Sequence, residues 1–231
     1  MGLFNETLKR CLIEAGICYD RGQIEQCEKY YRLMIDANKH INLTRITDEE
    51  QAADMHFANA AYLLGFLDLP TGCRVIDIGT GAGFPGIPLK LLRPDINITL
   101  LDSAHKKTDF VRHAAERMHI DVTVLIARAE EAARTILRET FDAAVSRAVA
   151  PLSILLELCI PYLRCGGVFA AWKGESFMQE LDAANTALNA LFCKVRSFHR
   201  IGPGAIILIE KQKPTPEKYP RRYAKIKSAP L

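Results

Sequence analysis

The sequence lacks both a CxxC pair and an HExxH motif, and these absences exclude the commonest kinds of protein zinc site. Its seven cysteines are scattered and odd in number, which argues against a disulfide framework. It has no uninterrupted apolar run of about 18 residues, the length that a membrane-spanning helix needs, and no secretory leader pattern at its start. We therefore expect a soluble, cytoplasmic protein with reduced thiols and no metal site.

A strong excess of one charge sign is also missing, since 30 Lys and Arg residues stand against 27 Asp and Glu, for a formal net charge of +3. The positive charge is concentrated in residues 211–231, which contain seven Lys or Arg and one acidic residue, Glu217. A basic run of this kind attracts polyanions such as RNA, but it is equally typical of a solvated tail.

The sequence does contain enough apolar residues, 49% of 231, to fill one core of ordinary size. Apolar residues recur at helical spacing from Leu8 to Ala15 and from Ile24 to Ile35, and Thr47 with Glu50 predicts a capping box for a third helix. We expect three parts: a helical extension over 1–70, an α/β domain over 71–211, and a basic tail over 212–231 that is extended or loosely docked.

Beyond Gly72, short β-branched runs alternate with helical stretches, which predicts an α/β fold with a mainly parallel, seven-stranded sheet. The predicted strands are 74–78, 97–101, 121–126, 141–145, 167–172, 194–199 and 205–211. The predicted helices between them include 85–92, with Pro85 in the first position, 104–118 and 151–163.

A glycine-rich loop, Asp77-Ile-Gly-Thr-Gly-Ala-Gly83, directly follows the first predicted strand. Glycines let the backbone turn sharply and approach a ligand closely. Gly81, Gly83 and Gly86 also satisfy the GxGxxG pattern of dinucleotide sites, which is a weak signal by itself.

The carboxylate of Asp77 helps to distinguish between the two candidate ligands of this loop, a dinucleotide and S-adenosylmethionine. A dinucleotide places an anionic pyrophosphate at the helix N-terminus, where a neighbouring carboxylate repels it. S-adenosylmethionine has no phosphate, and its sulfonium and ammonium are cations that a carboxylate attracts. The loop therefore favours adenosylmethionine, with an NAD-dependent oxidoreductase as the main rival.

Polar residues also end the following strands, where ligands of open parallel sheets bind. Asp102 can accept hydrogen bonds from both ribose hydroxyls or cap the next helix. Glu130 can bind the adenine amino group or simply interact with the dipole of its own helix. Arg147 can anchor the cofactor carboxylate, reach the substrate or form a surface salt bridge. Lys173 is equally compatible with substrate contact and with solvent exposure.

Together these segments resemble the bacterial rRNA small-subunit methyltransferase G family, also called glucose-inhibited division protein B. The shared motifs cover nearly the whole chain in the family's order: Asn42-Leu43-Thr44, His56-Phe57, DIGTGAGFPGIPLK, RPD, LLDS, RAEE, SRA, WKG and the tail TPEKYPRR. The resemblance implies a class I, Rossmann-like methyltransferase that uses S-adenosyl-L-methionine. It implies methylation at N7 of a guanosine in 16S rRNA, free or in the small ribosomal subunit, and we expect a monomer that binds no membrane.

The resemblance and the loop chemistry together predict the site. The expected cofactor-binding residues are Asp77, Gly79, Gly81, Phe84, Asp102, Ser103, Ala129, Glu130 and Arg147. The expected catalytic residues are Arg147, Arg128 and Lys106, and the last two match basic positions that the family places near the RNA. Phe84 and Trp172 are candidates for stacking on the target purine.

The chain departs from the family pattern at two places. The family often has HFxDS where this chain has Ala58-Asn59-Ala60 after His56-Phe57, so no acidic role can be assigned to position 59. It often has a basic residue where this chain has Gly204-Ala205, which removes one expected RNA contact, and Arg200 is a candidate substitute. Two further functions stay open: methylation of DNA, protein or a small molecule, and RNA binding without catalysis.

Overall fold

A computed structural model describes residues 2–231 and contains one mixed sheet. Its strands are β1 (Arg74–Ile78), β2 (Asn97–Asp102), β3 (Thr123–Ile126), β4 (Phe141–Arg147), β5 (Leu163–Lys173), β6 (Cys193–Ile201) and β7 (Gly204–Lys211). The strand order is β3-β2-β1-β4-β5-β7-β6. The β2–β3, β1–β4 and β4–β5 pairs are parallel, whereas β7 is antiparallel to both β5 and β6. The predicted α/β class and seven strands are confirmed.

Helices fill the connections. The longer ones are α1 (Leu3–Glu14), α2 (Arg21–Asn38), α5 (Gly86–Leu92), α6 (His105–Met118), α8 (Leu152–Cys159) and α9 (Phe177–Ala183). The shorter ones are α3 (Glu49–Ala52), α4 (Asn59–Ala61), α7 (Ala129–Ala132), α10 (Asn185–Ala190) and α11 (Tyr223–Ser228). In residues 2–231, no helix combines the length and apolarity needed to cross a bilayer.

The chain divides into two compact units. The first contains the residues up to Gly72 together with Thr80–Ile126, and the second contains Cys73–Gly79 together with Ala127–Leu231.

The first unit contains the predicted N-terminal helices, with two differences at their ends. The third helix begins at Glu49, and its N-cap is Asp48, whose side chain accepts a hydrogen bond from Gln51 N–H. The predicted capping box on Thr47 is therefore wrong, because Asp48 caps the helix. The Thr47 backbone carbonyl accepts the Tyr31 hydroxyl at 2.7 Å. A π-helical turn, Ala53–Ala58, and a 3₁₀ turn, Tyr62–Gly65, interrupt the helical path that follows.

Helix α5 also begins one residue later than predicted. Pro85 is its N-cap, with φ −86°, and Gly86 is its first residue. The prediction of Pro85 in the first helical position is wrong by this one residue, although a proline suits either position because it has no N–H to leave unpaired.

The second unit contains the basic tail, which is docked and not loose as the sequence suggested. Tyr219 and Ile226 are buried, and α11 forms near its end. The Arg138 guanidinium donates to the carbonyls of Thr215 and Tyr219 at 2.8 and 2.9 Å. The tail is thus held largely by polar contacts to its backbone, which apolar periodicity does not reveal.

The strongest of these contacts joins the tail to α8. Arg221 forms a forked ion pair with the fully buried Glu157, with its Nη2 2.6 Å from Oε2 and its Nε 2.9 Å from Oε1. The Arg221 backbone N–H donates to the same carboxylate at 2.7 Å. A buried carboxylate is tolerated only when its partners satisfy its charge, so this pair fixes the tail to the second unit.

We predict that Arg221→Ala lowers the free energy of unfolding by about 3–5 kcal/mol, because it leaves the Glu157 charge buried without its cation. The matched control is Arg222→Ala, which removes the adjacent, exposed arginine. Urea unfolding of the two full-length variants measures the difference. Equal midpoints for both would contradict the anchoring role.

Candidate functional site

In the first unit, Asp102 holds the glycine loop in place. Its Oδ2 accepts the Gly81 N–H at 2.8 Å, and its Oδ1 accepts the Ala104 N–H, also at 2.8 Å. Helix α6 begins at His105 with Ala104 as its N-cap, so Asp102 does not cap the helix. A carboxylate offers about four acceptor positions, so these two bonds leave acceptor capacity for a ligand.

Tyr30 of α2 braces the same loop and was missed by the sequence analysis. It is fully buried, and its hydroxyl donates to the Ala82 carbonyl at 2.9 Å. Gly83 has φ +89°, and a Cβ there would lie 2.5 Å from the Tyr30 hydroxyl oxygen. The signal was present, since position 30 lies at helical spacing from Cys27 and Met34, and a buried tyrosine hydroxyl requires a partner.

Three separate sequence motifs meet beside this loop. The Thr44 hydroxyl lies 2.8 Å from His56 Nε2, and the His56 ring stacks on Phe84 with centroids 4.7 Å apart. Phe84 is buried and also makes edge contacts with Tyr30 and Phe57. One face of Phe84 is therefore covered by His56. Ser103 and Lys106, by contrast, are exposed at the start of α6.

In the second unit, a buried acid and a cation end neighbouring strands. Asp77 in β1 is fully buried, and Arg147 is half-buried at the end of β4. Burial lowers the pKa of Arg147 to about 10, and the nearby Asp77 charge opposes that shift. Arg147 thus stays cationic at neutral pH. Ser146 fixes this end of β4, because its hydroxyl donates to the Ile78 carbonyl at 2.8 Å.

The backbone turns sharply next to Arg147. Ala148 has φ +58°, a conformation that is uncommon for residues other than glycine and that concentrates at functional sites. This turn places the Val149 side chain directly against Gly79, whose own φ is +73°. A Cβ at position 79 would overlap Val149, so glycine is required there for two reasons, conformation and space.

A third group of predicted residues follows β3. The Tyr162 hydroxyl donates to the Ala129 carbonyl at 2.7 Å and fixes the start of α7. Glu130 is buried, and its Oε1 lies 3.3 Å from Nε of the exposed Arg128. In residues 2–231, His, Cys, Asp and Glu side chains form no cluster of three or more that would suit a metal ion.

Comparison with known proteins decides the family. The family model described as rRNA small subunit methyltransferase G matches residues 23–206. The chain belongs to this family. Ribosomal RNA small subunit methyltransferase G of Lachnoclostridium phytofermentans is 39% identical and aligns over 98% of this chain and 97% of its own. The protein of the same name from Staphylococcus epidermidis is 37% identical over 98% of each chain.

Solved structures agree on the fold. A SAM-dependent methyltransferase from Aquifex aeolicus superposes with a TM-score of 0.54 at 15% identity, covering 69% of this chain and 92% of that one. A putative S-adenosyl-L-methionine-dependent methyltransferase from Methanococcus maripaludis gives a TM-score of 0.57 at 15% identity, covering 79% and 92%. The expected class I methyltransferase fold is confirmed.

The structure explains one departure of this chain from the methyltransferase G family pattern. A Cβ at Gly204 would overlap the Lys173 carbonyl oxygen, so a basic side chain at that position would displace β5 or β7. Lys173 itself lies neither in solvent nor free for substrate. Its Nζ contacts Glu180 Oε2 at 2.6 Å and donates to the Ala150 carbonyl at 2.9 Å, and its side chain is 8% exposed. The sequence suggested substrate contact or solvent exposure for Lys173, and the structure shows an internal ion pair in place of either.

We predict that Gly79→Ala destabilises the protein more than Gly81→Ala. Both glycines have positive φ, which costs alanine about 1–2 kcal/mol. A Cβ at Gly81 meets nothing within 4 Å, whereas one at Gly79 meets Val149. Adding Val149→Ala to Gly79→Ala should recover the additional free energy of unfolding that the single variant loses. Urea unfolding without ligand measures this. Equal losses for both single variants would contradict the packing of Val149 on Gly79.

Proposed function

We propose that the protein transfers a methyl group from S-adenosylmethionine to N7 of a guanosine in the 16S rRNA of the small ribosomal subunit. The observation that carries this proposal is the family match over residues 23–206, which include every predicted site residue. Near-complete alignment with relatives named ribosomal RNA small subunit methyltransferase G supports it. From the rRNA substrate we also infer a cytoplasmic location, and we expect a monomer without metal.

The chemistry of the donor set fits this cofactor. Asp77 and Asp102 are acids that favour the cationic sulfonium and ammonium groups, and the Asp102 oxygens retain acceptor capacity that suits ribose hydroxyls. We propose that the cofactor is held by Asp77, Gly79, Gly81, Phe84, Asp102, Ser103, Ala129, Glu130 and Arg147. When bound, adenosylmethionine supplies an electrophilic methyl group.

The protein's contribution to the reaction is mainly alignment. Guanine N7 carries a lone pair and no proton, so the site needs no general base. The target base must leave its stack in the RNA, and the methylated ring gains positive charge. Because the product ring is cationic, we propose that Arg147, Arg128 and Lys106 bind RNA phosphates or base edges and do not face N7. By holding the RNA in place, they align N7 with the methyl group, and this alignment provides the rate enhancement.

Nucleoside mass spectrometry tests the proposed acceptor. 16S rRNA from cells without the gene should lack one 7-methylguanosine that is present in the parent, and the purified protein with adenosylmethionine should restore it. An identical profile in both strains, together with no methylation by the purified protein, would exclude this acceptor.

We predict that Arg147→Lys lowers kcat/KM for rRNA methylation at least tenfold, about 1.4 kcal/mol of transition-state stabilisation. Lysine keeps the charge opposite the buried Asp77 but loses the planar fork of arginine donors. Retaining that charge should keep stability near wild type. The control is Arg164→Lys, an arginine with 64% exposed side chain paired with Asp142. Similar kinetics for both variants would remove Arg147 from the site.

A further inference from the structure

The docked tail shares a cavity with one of the predicted site residues, Glu130. The cavity has a volume of about 610 Å³, and its lining includes Glu130 and Glu131 of the segment after β3 and Arg222 and Tyr223 of the tail. Nothing in the sequence placed the end of the chain beside the segment that follows β3. The tail is therefore part of the surroundings of the proposed site.

Tyr223 contacts Arg128 directly. The Arg128 guanidinium carbon lies 4.4 Å from the centroid of the Tyr223 ring, within the range of a cation–π interaction. On its other side, Arg128 Nε lies 3.3 Å from Glu130 Oε1. An arginine has five N–H donors, and among residues 2–231 this ion pair occupies only the Nε–H. The two terminal amino groups are thus available for a phosphate.

The segment that carries Tyr223 is tied to the rest of the second unit. Arg221, two residues earlier, is fixed by its ion pair with the buried Glu157. Arg134, which also lines the cavity, donates to the Pro220 carbonyl. These contacts hold the segment that carries Tyr223, and the exposed Arg128 side chain packs on its ring.

The charge of the tail surface favours a polyanion. Of the seven basic residues in 211–231, Lys211 at the end of β7 is fully buried against Glu139, and Arg221 is committed to Glu157, so these two serve the interior. The other five basic residues of the tail are exposed: Lys213, Lys218, Arg222, Lys225 and Lys227. Glu217 and Glu131 are exposed acids in or beside this surface, and Glu130 is neutralised by Arg128. The net charge of the surface is positive.

We propose that the docked tail forms part of the rRNA-binding surface and that Tyr223 is a positioning residue, whose ring holds Arg128 toward an RNA phosphate. This inference rests on the proposed function. Adenosylmethionine has no phosphate, so the exposed cations of the tail match the RNA and not the cofactor.

The first test compares full-length Tyr223→Leu with Tyr223→Phe. Leucine removes the aromatic ring, whereas phenylalanine keeps it and loses only the hydroxyl. We expect Tyr223→Leu to raise KM for rRNA about two- to fivefold, with kcat and adenosylmethionine affinity unchanged. Tyr223→Phe should match wild type. Equal KM values for wild type and both variants, or equal losses in both variants, would overturn the positioning role.

The second test measures RNA binding without catalysis, so that it does not depend on methyl transfer. Lys225→Gln with Lys227→Gln should flatten the plot of log binding constant against log salt by ~0.7–0.9 for each phosphate that the tail no longer neutralises. Lys29→Gln, on the exposed side of α2, should leave the slope unchanged. An unchanged slope in the tail variant would overturn the proposal that the tail binds RNA. Absence of methylation by wild type, with the slope change present, would overturn the proposed function alone.

Discussion

The fully buried carboxylate of Asp77, with Arg147 as the cation nearby, is the interaction on which the second unit's part of the site depends. A charge without solvent costs several kcal/mol unless a counter-charge offsets it. The surrounding features hold these groups in place: Ser146 ties β4 to the Ile78 carbonyl, and Ala148 takes a strained turn immediately after Arg147. The turn brings the Val149 side chain against position 79, where only glycine leaves enough space.

In the first unit, a carboxylate is held by backbone N–H donors. The Gly81 N–H needs a partner, and Asp102 supplies it with one carboxylate oxygen while the other fixes the turn into α6. Tyr30 then holds the Ala82 carbonyl from the N-terminal helical region. This gives the helical extension a structural role in the first unit, since it braces the loop that follows the first strand.

The sheet was predictable because the strands are short apolar or alternating segments separated by turns and helical stretches, and all seven were located within a few residues of their ends. The positions of the glycine loop after β1 and of Asp77 and Asp102 in their strands were predictable, because the glycine spacing and the strand ends can be read locally from the sequence. What sequence reasoning missed were contacts between distant residues. Tyr30 with Ala82, Lys173 with Glu180, and Arg221 with Glu157 are pairs that local sequence patterns do not reveal. The docked tail was missed for the same reason, because polar contacts and not apolar periodicity hold it.

The proposed function requires that the loop after β1 bind a positively charged methyl donor, with Asp77 and Asp102 as the complementary acids. Calorimetric titration of the purified protein with S-adenosylmethionine, its demethylated product and NAD tests this most directly. We expect saturable binding of the methyl donor, weakened by Asp102→Asn, and no binding of NAD. Tight binding of NAD with no heat from the methyl donor or its product would contradict it.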